Sequence, residues 1–390
     1  PNAEFLIRAS SEQGYSLEAA LADLIDNSIS AQATKVELLV DTEEESFTLY
    51  VADNGNGMTN IELANAMKFP SQSPENRRQP NDLGRFGLGM KTASFSQTRK
   101  FTVLSKKNND QEYCARTWDL KALKDGGWRV IVNPKKDIAT VISKYKKISS
   151  DSFLGSFENF KPNTIVIWHG LHKFEEFISE RDTKQTLYKE LLEVTSEHLS
   201  IAFHRFMERT DRPISIRLNH KILEPFNPFP SDARDFRGLG PLSRTFNNGD
   251  FSFEGFILPS RAISESRSHS QWTTKNRSLL DMEGMYVYRS DRLISFGGWH
   301  NLSQRTARHS LARLKVNIGN NSDSHLHLNV AKSQVRIPDD LRLTLKGYIA
   351  TLKEEAAREY NNKSVPDPNL KRERNQDLLS IVQTTKGAIF

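Results

Sequence analysis

The sequence predicts a globular α+β protein with two domains. Its 390 residues are enough for two ordinary domains, each with its own core. Stretches whose apolar residues recur at helical spacing are interspersed with short runs that alternate like strands. The composition, 37% hydrophobic and 26% charged, is typical of a globular chain. Together these observations predict a mixed fold of helices and sheets.

Composition also excludes several classes of protein. No apolar run approaches the ~20 residues that a membrane-spanning helix needs, and no charged-then-apolar leader opens the sequence. The single cysteine, Cys114, excludes an internal disulfide and a cysteine-built zinc site, which favours a reducing compartment. The net charge of +6 permits a nucleic-acid partner without arguing for one. We therefore expect a protein that is neither secreted nor bound to a membrane.

The first segment that could contribute to a functional site is a helix that is predicted to begin after the N-cap residue Ser16. Asp23 and Asn27 are four residues apart, so they lie on one face of this helix. An amide oxygen at Asn27 suits Mg²⁺, which prefers oxygen ligands and keeps several waters. A carboxylate at Asp23 can accept a proton from an attacking water. For this helix alone, a solvated polar face is the favoured alternative.

The second segment is a polar turn that follows the strand-like run 47–52. It contains Asp53, Gly55 and Gly57, followed by Met58. Glycine lets a backbone approach a flat base closely, and a buried carboxylate can accept the exocyclic amine of adenine. Met58 would then line the base pocket. A simple Gly-Asn turn is the alternative interpretation.

The third segment combines glycines with a lysine immediately before a helix predicted over residues 90–95. Glycines free backbone N–H groups to point at anionic oxygens, and the helix N-terminus adds partial positive charge. The lysine would add a point charge near phosphates. The pattern is neither a P-loop nor a dinucleotide fingerprint. The predicted phosphate-binding residues are Gly84, Gly87, Leu88, Gly89, Lys91 and Thr92.

In this order and at this spacing, the three segments resemble the ATP site of the GHKL superfamily, which includes type II topoisomerases, MutL, the ninety-kilodalton heat-shock chaperone, MORC proteins and histidine kinases. The resemblance implies a Bergerat-type α/β sandwich ATPase domain at residues 1–175. It implies a ribosomal-protein-like α/β transducer domain at 176–340, with a C-terminal helix and tail at 341–390. The run 286–294 is most similar to MORC-type sequences. ATP and Mg²⁺ are the implied cofactors, with Asn27 as the metal ligand.

The same resemblance assigns roles to individual residues. It implies that Asp53 accepts the adenine amine, with Thr164 beside it at the start of a predicted strand. It implies that Lys332 reaches the terminal phosphate from the second domain, although a solvated loop lysine is a close competitor. Residues 70–83 would form a lid over the phosphates. The resemblance also implies that Asp23 stands where MutL, topoisomerase, chaperone and MORC sequences have glutamate, so its shorter side chain predicts slow hydrolysis.

The resemblance therefore implies an ATP-operated homodimer that forms on ATP binding and acts as a gated clamp on or near DNA. Double-stranded DNA and a separate nuclease or helicase are the candidate partners. We expect the protein in the cytoplasm or nucleoid of a prokaryote, or in the nucleus of a eukaryote. The candidate DNA contacts are Arg305, Arg308, Arg313 and Lys315, with His300 and His309. Two alternatives remain open: a chaperone-like ATPase that remodels protein clients, and a nucleotide-gated interaction module with negligible hydrolysis.

Overall fold

A computed structural model describes most of the chain. The described residues are 7, 15–43, 46–68, 89–108, 110, 112–123, 127–149, 157, 159–172, 184–246, 249–266, 271–319, 337 and 339–362.

A mixed sheet forms the centre of the N-terminal half. Within the described residues it has eight strands, and every neighbouring pair is antiparallel except β1 and β7, which run parallel. The spatial order is β5-β4-β3-β6-β2-β1-β7-β8. The strands are β1 (Lys35–Asp41), β2 (Thr48–Asp53), β3 (Lys100–Ser105), β4 (Cys114–Asp119), β5 (Ile131–Val132), β6 (Thr164–His169), β7 (Ser215–Leu218) and β8 (Lys221–Ile222).

Helices cover both faces of this first sheet. Alternation along the strands sends Val36, Leu38 and Val40 to one face, where they join the main core, and Leu39 to the other. The helices are α1 (Leu17–Ser30), α2 (Asn60–Ala66), α3 (Gly89–Gln97), α4 (Lys135–Ser149), α5 (Lys184–Ala202) and the short α6 (His204–Met207). Apolar residues of α1, α3 and α5 pack on the main-core face, and those of α4 pack on the opposite face. The predicted α/β sandwich is confirmed.

A second sheet follows in the C-terminal half. Its strands in the described region are ordered β10-β11-β14-β12-β13, with β9 also paired to β11. They are β9 (Arg237–Gly238), β10 (Leu242–Phe246), β11 (Gly249–Ile257), β12 (Gly284–Arg289), β13 (Arg292–Phe296) and β14 (Ala312–Ile318). The short α7 (Ser260–Glu265) and the long α8 (Asp339–Asn362) complete it. Leu345, Ile349 and Leu352 of α8 pack into this second core, as their helical spacing predicts.

The two halves differ from the sequence prediction at their junction. Residues 213–218 were placed in a second domain starting at 176, but β7 pairs with β1 of the first sheet. The first sheet therefore continues to β8, beyond residue 175. A parallel pairing between segments so distant in sequence leaves no local pattern that would reveal it. Residues 184–207 form two helices, because α5 ends at Ala202 and α6 begins at His204.

α4 covers the first part of the charged stretch 143–162. α4 buries Ile138 and Tyr145, which are seven residues apart and therefore share one face. Lysines occupy the exposed side of α4 and give the stretch a charged composition, so the apolar spacing is hard to recognise in the sequence. None of the helices in the described part of the chain has the length and hydropathy to cross a bilayer.

A buried polar network fastens α4 to the first sheet. Glu37 of β1 is fully buried and forms an ion pair with Arg217 of β7. Tyr145 Oη donates to Glu37 Oε2 at 2.5 Å, and Ser149 Oγ donates to the same oxygen at 2.7 Å. Since a buried charge needs partners to offset its lost hydration, these contacts must form together.

We expect Arg217→Met to lower the free energy of unfolding by about 3–5 kcal/mol, because it leaves the buried Glu37 carboxylate without its cation. Urea denaturation followed by circular dichroism measures this change. Lys135→Met is the matched control: Lys135 pairs with Glu112 on the open surface, so its loss should leave the midpoint nearly unchanged. Equal effects of the two substitutions would contradict a structural role for the buried network.

Candidate functional site

The centre of the candidate site is the carboxylate of Asp53 at the end of β2. The side chain is only 6% exposed. Ser28 Oγ from α1 donates to Asp53 Oδ2 at 3.0 Å, and the Gly55 amide donates to Oδ1 at 2.9 Å. Burial raises the pKa of Asp53 to about 6, although these two hydrogen bonds act in the opposite direction. A carboxylate has about four acceptor positions, so the two contacts leave capacity for a further donor.

Thr164 lies directly beside Asp53. The two residues are opposite each other in the antiparallel ladder of β2 and β6. Thr164 Oγ1 and Ser105 Oγ of β3 are 2.9 Å apart, and Ser105 Oγ also accepts from the Met58 amide at 2.9 Å. The sequence proposed Asp53, Thr164 and Met58 for one pocket, and the sheet register brings all three to one place.

The glycines of the turn also permit close packing within the chain. A β-carbon at Gly55 would lie 2.8 Å from the Ala31 carbonyl oxygen, and one at Gly57 would lie 1.8 Å from the Lys106 carbonyl oxygen. Gly57 also has φ +64°, a conformation that favours glycine. Separate parts of this chain thus approach each other closely at the turn, and the close approach of a bound base stays a prediction. Asn163 supports the turn by donating from Nδ2 to the Gly55 carbonyl at 2.7 Å.

Asp23 lies on α1 at the side of the site that faces α3. A β-carbon at Gly89, the first residue of α3, would be 4.0 Å from Asp23 Oδ2. Tyr15 Oη donates to that same oxygen at 2.9 Å. Burial, and then the charge of Asp23, raise the pKa of Tyr15, so the hydroxyl remains a donor. The structure therefore joins the first and third predicted segments through Asp23 and Gly89.

Asn27 is exposed on α1, whereas Asp23 four residues earlier is buried. The Asn27 amide is therefore accessible from solvent, one helical turn from the Asp23 carboxylate. This donor set fits Mg²⁺, which keeps several waters and needs few protein ligands. Asn27 therefore remains the candidate metal ligand.

Lys91 does not have the predicted disposition. Its side chain is 1% exposed, and Nζ donates to the Ala66 carbonyl at the end of α2 at 2.8 Å. Burial lowers its pKa to about 8. Thr92 is buried as well. The prediction placed Lys91 near the phosphates because it follows the glycines in sequence. The helical rotation of α3 instead directs Lys91 into the domain, where it contacts the end of α2.

Several predicted residues lie outside the described part of the chain. They are Gly84, Gly87, Leu88, Lys332 and the whole of the proposed lid at 70–83.

Asp26, the residue before Asn27 on α1, is paired within the chain. Arg292 Nε donates to Asp26 Oδ1 at 3.0 Å, and both side chains are buried. Its carboxylate is thus held in an ion pair with the second half of the chain.

The candidate DNA-contact residues also divide into two groups. Arg313 is 0% exposed, and Nη1 donates to the Pro228 carbonyl at 2.7 Å, so it is excluded as a surface contact. Lys315 forms an ion pair with Glu254 and lies over the Phe256 ring. Both follow from strand alternation in β14, which the prediction treated as a basic run. Arg305 and Arg308 are exposed, whereas burial lowers the pKa of His300 and of His309.

Sequence reasoning missed three residues of the site: Tyr15, Ser28 and Ser105. Ser28 directly follows Asn27, and this adjacency was the available signal. Tyr15 and Ser105 reach the site only through the packing of separate elements, so no motif contained them.

Comparison with known proteins supports this geometry. A family model described as histidine kinase-, DNA gyrase B-, and HSP90-like ATPase matches residues 15–152. This range contains α1, the Asp53 turn and α3. Residues 15–152 therefore carry a domain of the GHKL superfamily.

Individual relatives match different lengths of the chain. The ATPase MORC2B of Mus musculus is 33% identical over 96 residues, which are 24% of this chain and 9% of the relative. The ATPase MORC2 of Homo sapiens is 29% identical over 96 residues, with the same two shares. The chaperone protein HtpG of Oceanobacillus iheyensis is 27% identical over 163 residues, 40% of this chain and 25% of the relative. The chain thus matches a quarter or less of the length of each.

Asp53 should make stability depend on pH. A folded-state pKa of about 6, against 3.8 ordinarily, means that the native state holds this proton more tightly than the unfolded chain. The resulting stabilisation is complete below about pH 3.8 and is lost as the pH rises through about 6. We expect the unfolding free energy of Asp53→Asn, relative to wild type, to rise by about 3 kcal/mol between pH 4 and 7, at 1.36 kcal/mol per pKa unit.

Urea titrations at several pH values measure this difference. Ser28→Ala is a companion variant: it removes a hydrogen bond that lowers the pKa of Asp53, so its transition should move to higher pH. A difference between Asp53→Asn and wild type that does not vary with pH would contradict the assignment.

Proposed function

We propose that this GHKL chain binds ATP with Mg²⁺ in the space between α1, the Asp53 turn and α3. The observation that carries the proposal is the junction at Asp53, where Ser28 of α1 bonds the carboxylate and Thr164 of β6 lies opposite it. A buried carboxylate with acceptor capacity beside a hydroxyl suits the amine edge of adenine. Met58, Gly55 and Gly57 border that position through the turn they build.

Phosphate binding is proposed at the start of α3. The N-terminus of a helix carries partial positive charge and free backbone donors, so Gly89 can approach an anionic oxygen closely. The predicted contribution of Lys91 is not part of this proposal. Gly84, Gly87, Leu88 and Lys332 remain proposed nucleotide contacts on the basis of the motif alone.

Hydrolysis is proposed to use Asp23 as the general base and Asn27 as the Mg²⁺ ligand. When bound, the metal would offset charge on the phosphates. Tyr15 Oη donates to Asp23 Oδ2, which holds the carboxylate at the side of the site that faces α3. The aspartate side chain is one methylene shorter than the glutamate that the family resemblance implies, and this shorter reach favours slow turnover.

We expect Asp23→Asn to reduce the kcat for Mg²⁺-ATP by roughly 10²–10⁴-fold, because it removes the proton acceptor. Asp23→Glu should retain activity, because it keeps a carboxylate as the proton acceptor. Steady-state phosphate release measures both variants. Glu18→Gln, on the first turn of the same helix, is the matched control and should turn over like wild type. Unchanged turnover in Asp23→Asn would exclude Asp23 as the base.

The larger proposal is that ATP binding pairs two copies of the chain into a gated clamp on or near DNA, as in a MORC-like or MutL-like protein. It is supported by the GHKL membership and by the two ATPases of the MORC2 type among the relatives. Exposed Arg305 and Arg308 are the proposed phosphate contacts in the second half. A separate nuclease or helicase remains a proposed partner.

We expect the molar mass to double when a nonhydrolysable ATP analogue and Mg²⁺ are added, because the bound triphosphate completes the surface that pairs two copies. Size-exclusion chromatography with light scattering measures the mass. Asp53→Asn, which impairs adenine recognition, should remain monomeric under the same conditions. A mass that does not respond to the analogue while the analogue is bound would refute gated dimerisation.

A chaperone-like ATPase is the second candidate, and the match to HtpG over 40% of the chain favours it specifically. DNA binding separates the two candidates. A DNA-acting clamp should show DNA-stimulated turnover that weakens steeply with salt and is reduced in Arg305→Gln/Arg308→Gln. Turnover that responds to unfolded protein and not to DNA would select the chaperone. Tight ATP binding without phosphate release would select the nucleotide-gated interaction module.

A further inference from the structure

The helix that carries Asp23 and Asn27 is attached directly to the second sheet by one buried ion pair. Arg292 is the first residue of β13, in the hairpin formed by β12 and β13. Its Nε donates to Asp26 Oδ1 at 3.0 Å, and the two side chains are 8% and 3% exposed. Asp26 lies three residues after Asp23 and directly before Asn27, so the contact is made within the same turn of α1 as the proposed catalytic residues.

The surroundings fix the orientation of this arginine. Its guanidinium lies 4.3 Å from the ring centroid of Phe203, between α5 and α6. Nη1 donates to the Leu293 carbonyl at 2.5 Å, which ties the head group back to its own strand. The planar guanidinium is therefore held by three different contacts, and a lysine could not reproduce them.

The Asp26 carboxylate balances the positive charge of the Arg292 guanidinium. Desolvation of the half-buried His198 ring, followed by the positive charges of Arg292 and Arg277, lowers the pKa of His198 to about 3. The ring of His198 thus stays neutral at ordinary pH and adds no further positive charge. A buried ion pair of this kind contributes less to net stability than an apolar pair of similar volume commonly does. Its presence next to Asp23 and Asn27 therefore calls for a role other than stability.

We propose that Arg292 is a positioning residue that couples the hairpin of the second sheet to the proposed hydrolysis of ATP. A displacement of the hairpin moves the guanidinium, and the guanidinium moves the turn of α1 that presents Asp23 and Asn27. The coupling operates in both directions, because a change at α1 acts on the hairpin through the same pair. The inference rests on the proposed function of Asp23 and Asn27.

The exposed ion pair of the same hairpin is the matched control. Asp291 directly precedes Arg292 in the chain. On the surface, Arg209 Nη2 donates to Asp291 Oδ2 at 2.8 Å. Arg209→Gln removes an ion pair from this hairpin without touching α1. It should leave turnover and α1 unaffected.

We expect Arg292→Lys and Asp26→Asn to lower the kcat for Mg²⁺-ATP at least tenfold, with the KM and the affinity for ADP changed less than about threefold. Because breaking a buried pair also destabilises the fold, the double variant Asp26→Leu/Arg292→Met is the deciding one. Replacing both charges by apolar groups should restore the melting temperature. It should not restore kcat. Wild-type kcat in the folded double variant would overturn the proposal.

Hydrogen–deuterium exchange of residues 17–30 gives a readout that does not depend on turnover. Exchange in the second half of α1 should be faster in the double variant than in wild type at equal global stability, and unchanged in Arg209→Gln. Equal protection of α1 in all three proteins would also overturn the coupling. If wild type itself releases no phosphate, the proposed hydrolysis fails, while the exchange experiment still decides whether Arg292 positions α1.

Discussion

The hydrogen bond from Ser28 to Asp53 is the contact on which the candidate site depends. It joins the second half of α1 to the end of β2, and Thr164 of β6 lies opposite the same aspartate. Three elements from separate parts of the sequence thus meet at one buried carboxylate. Because burial raises the pKa of that carboxyl to about 6, the ionised form is maintained by its donors and not by solvent. A ligand that supplies one more donor fits this environment.

The turn after Asp53 shows how close packing supports the chemistry. Ala31 and Lys106 approach Gly55 and Gly57 so closely that a β-carbon would overlap their carbonyl oxygens. The turn is therefore held against α1 on one side and against the end of β3 on the other. Such a rigid support keeps Asp53 oriented in the absence of a ligand, which reduces the ordering that binding would require.

The two sheets are not independent bodies joined by a loop. α5 contributes Leu199 to the core of the first sheet and Ile201 to a cluster with Tyr286 and Tyr288 of the second. Arg292 extends this connection to α1, where it meets Asp26. Through these contacts, a local change at the proposed nucleotide site would alter the position of one sheet relative to the other.

The sequence by itself determined the three motif segments, their order and most of the regular elements. Asp23, Asn27, Asp53 and Gly89 could be proposed because their chemistry is carried by short local patterns, and Ser16 was correctly predicted as the cap of α1. Thr164 could be proposed only through the family resemblance. The strand-like run 47–52 was recognised in the same local way, and β2 covers most of it.

Only the tertiary structure decided where the remaining side chains go. Lys91 and Arg313 are charged residues next to plausible anion sites in sequence, yet helix rotation and strand alternation bury both. Asp26 and Arg292 are 266 positions apart, and β7 joins β1 through residues that are 180 positions apart. Such contacts form because distant segments bury apolar surface together and bring polar groups with them. A pattern of neighbouring residues records local periodicity and contains no information on which distant partner each face will meet.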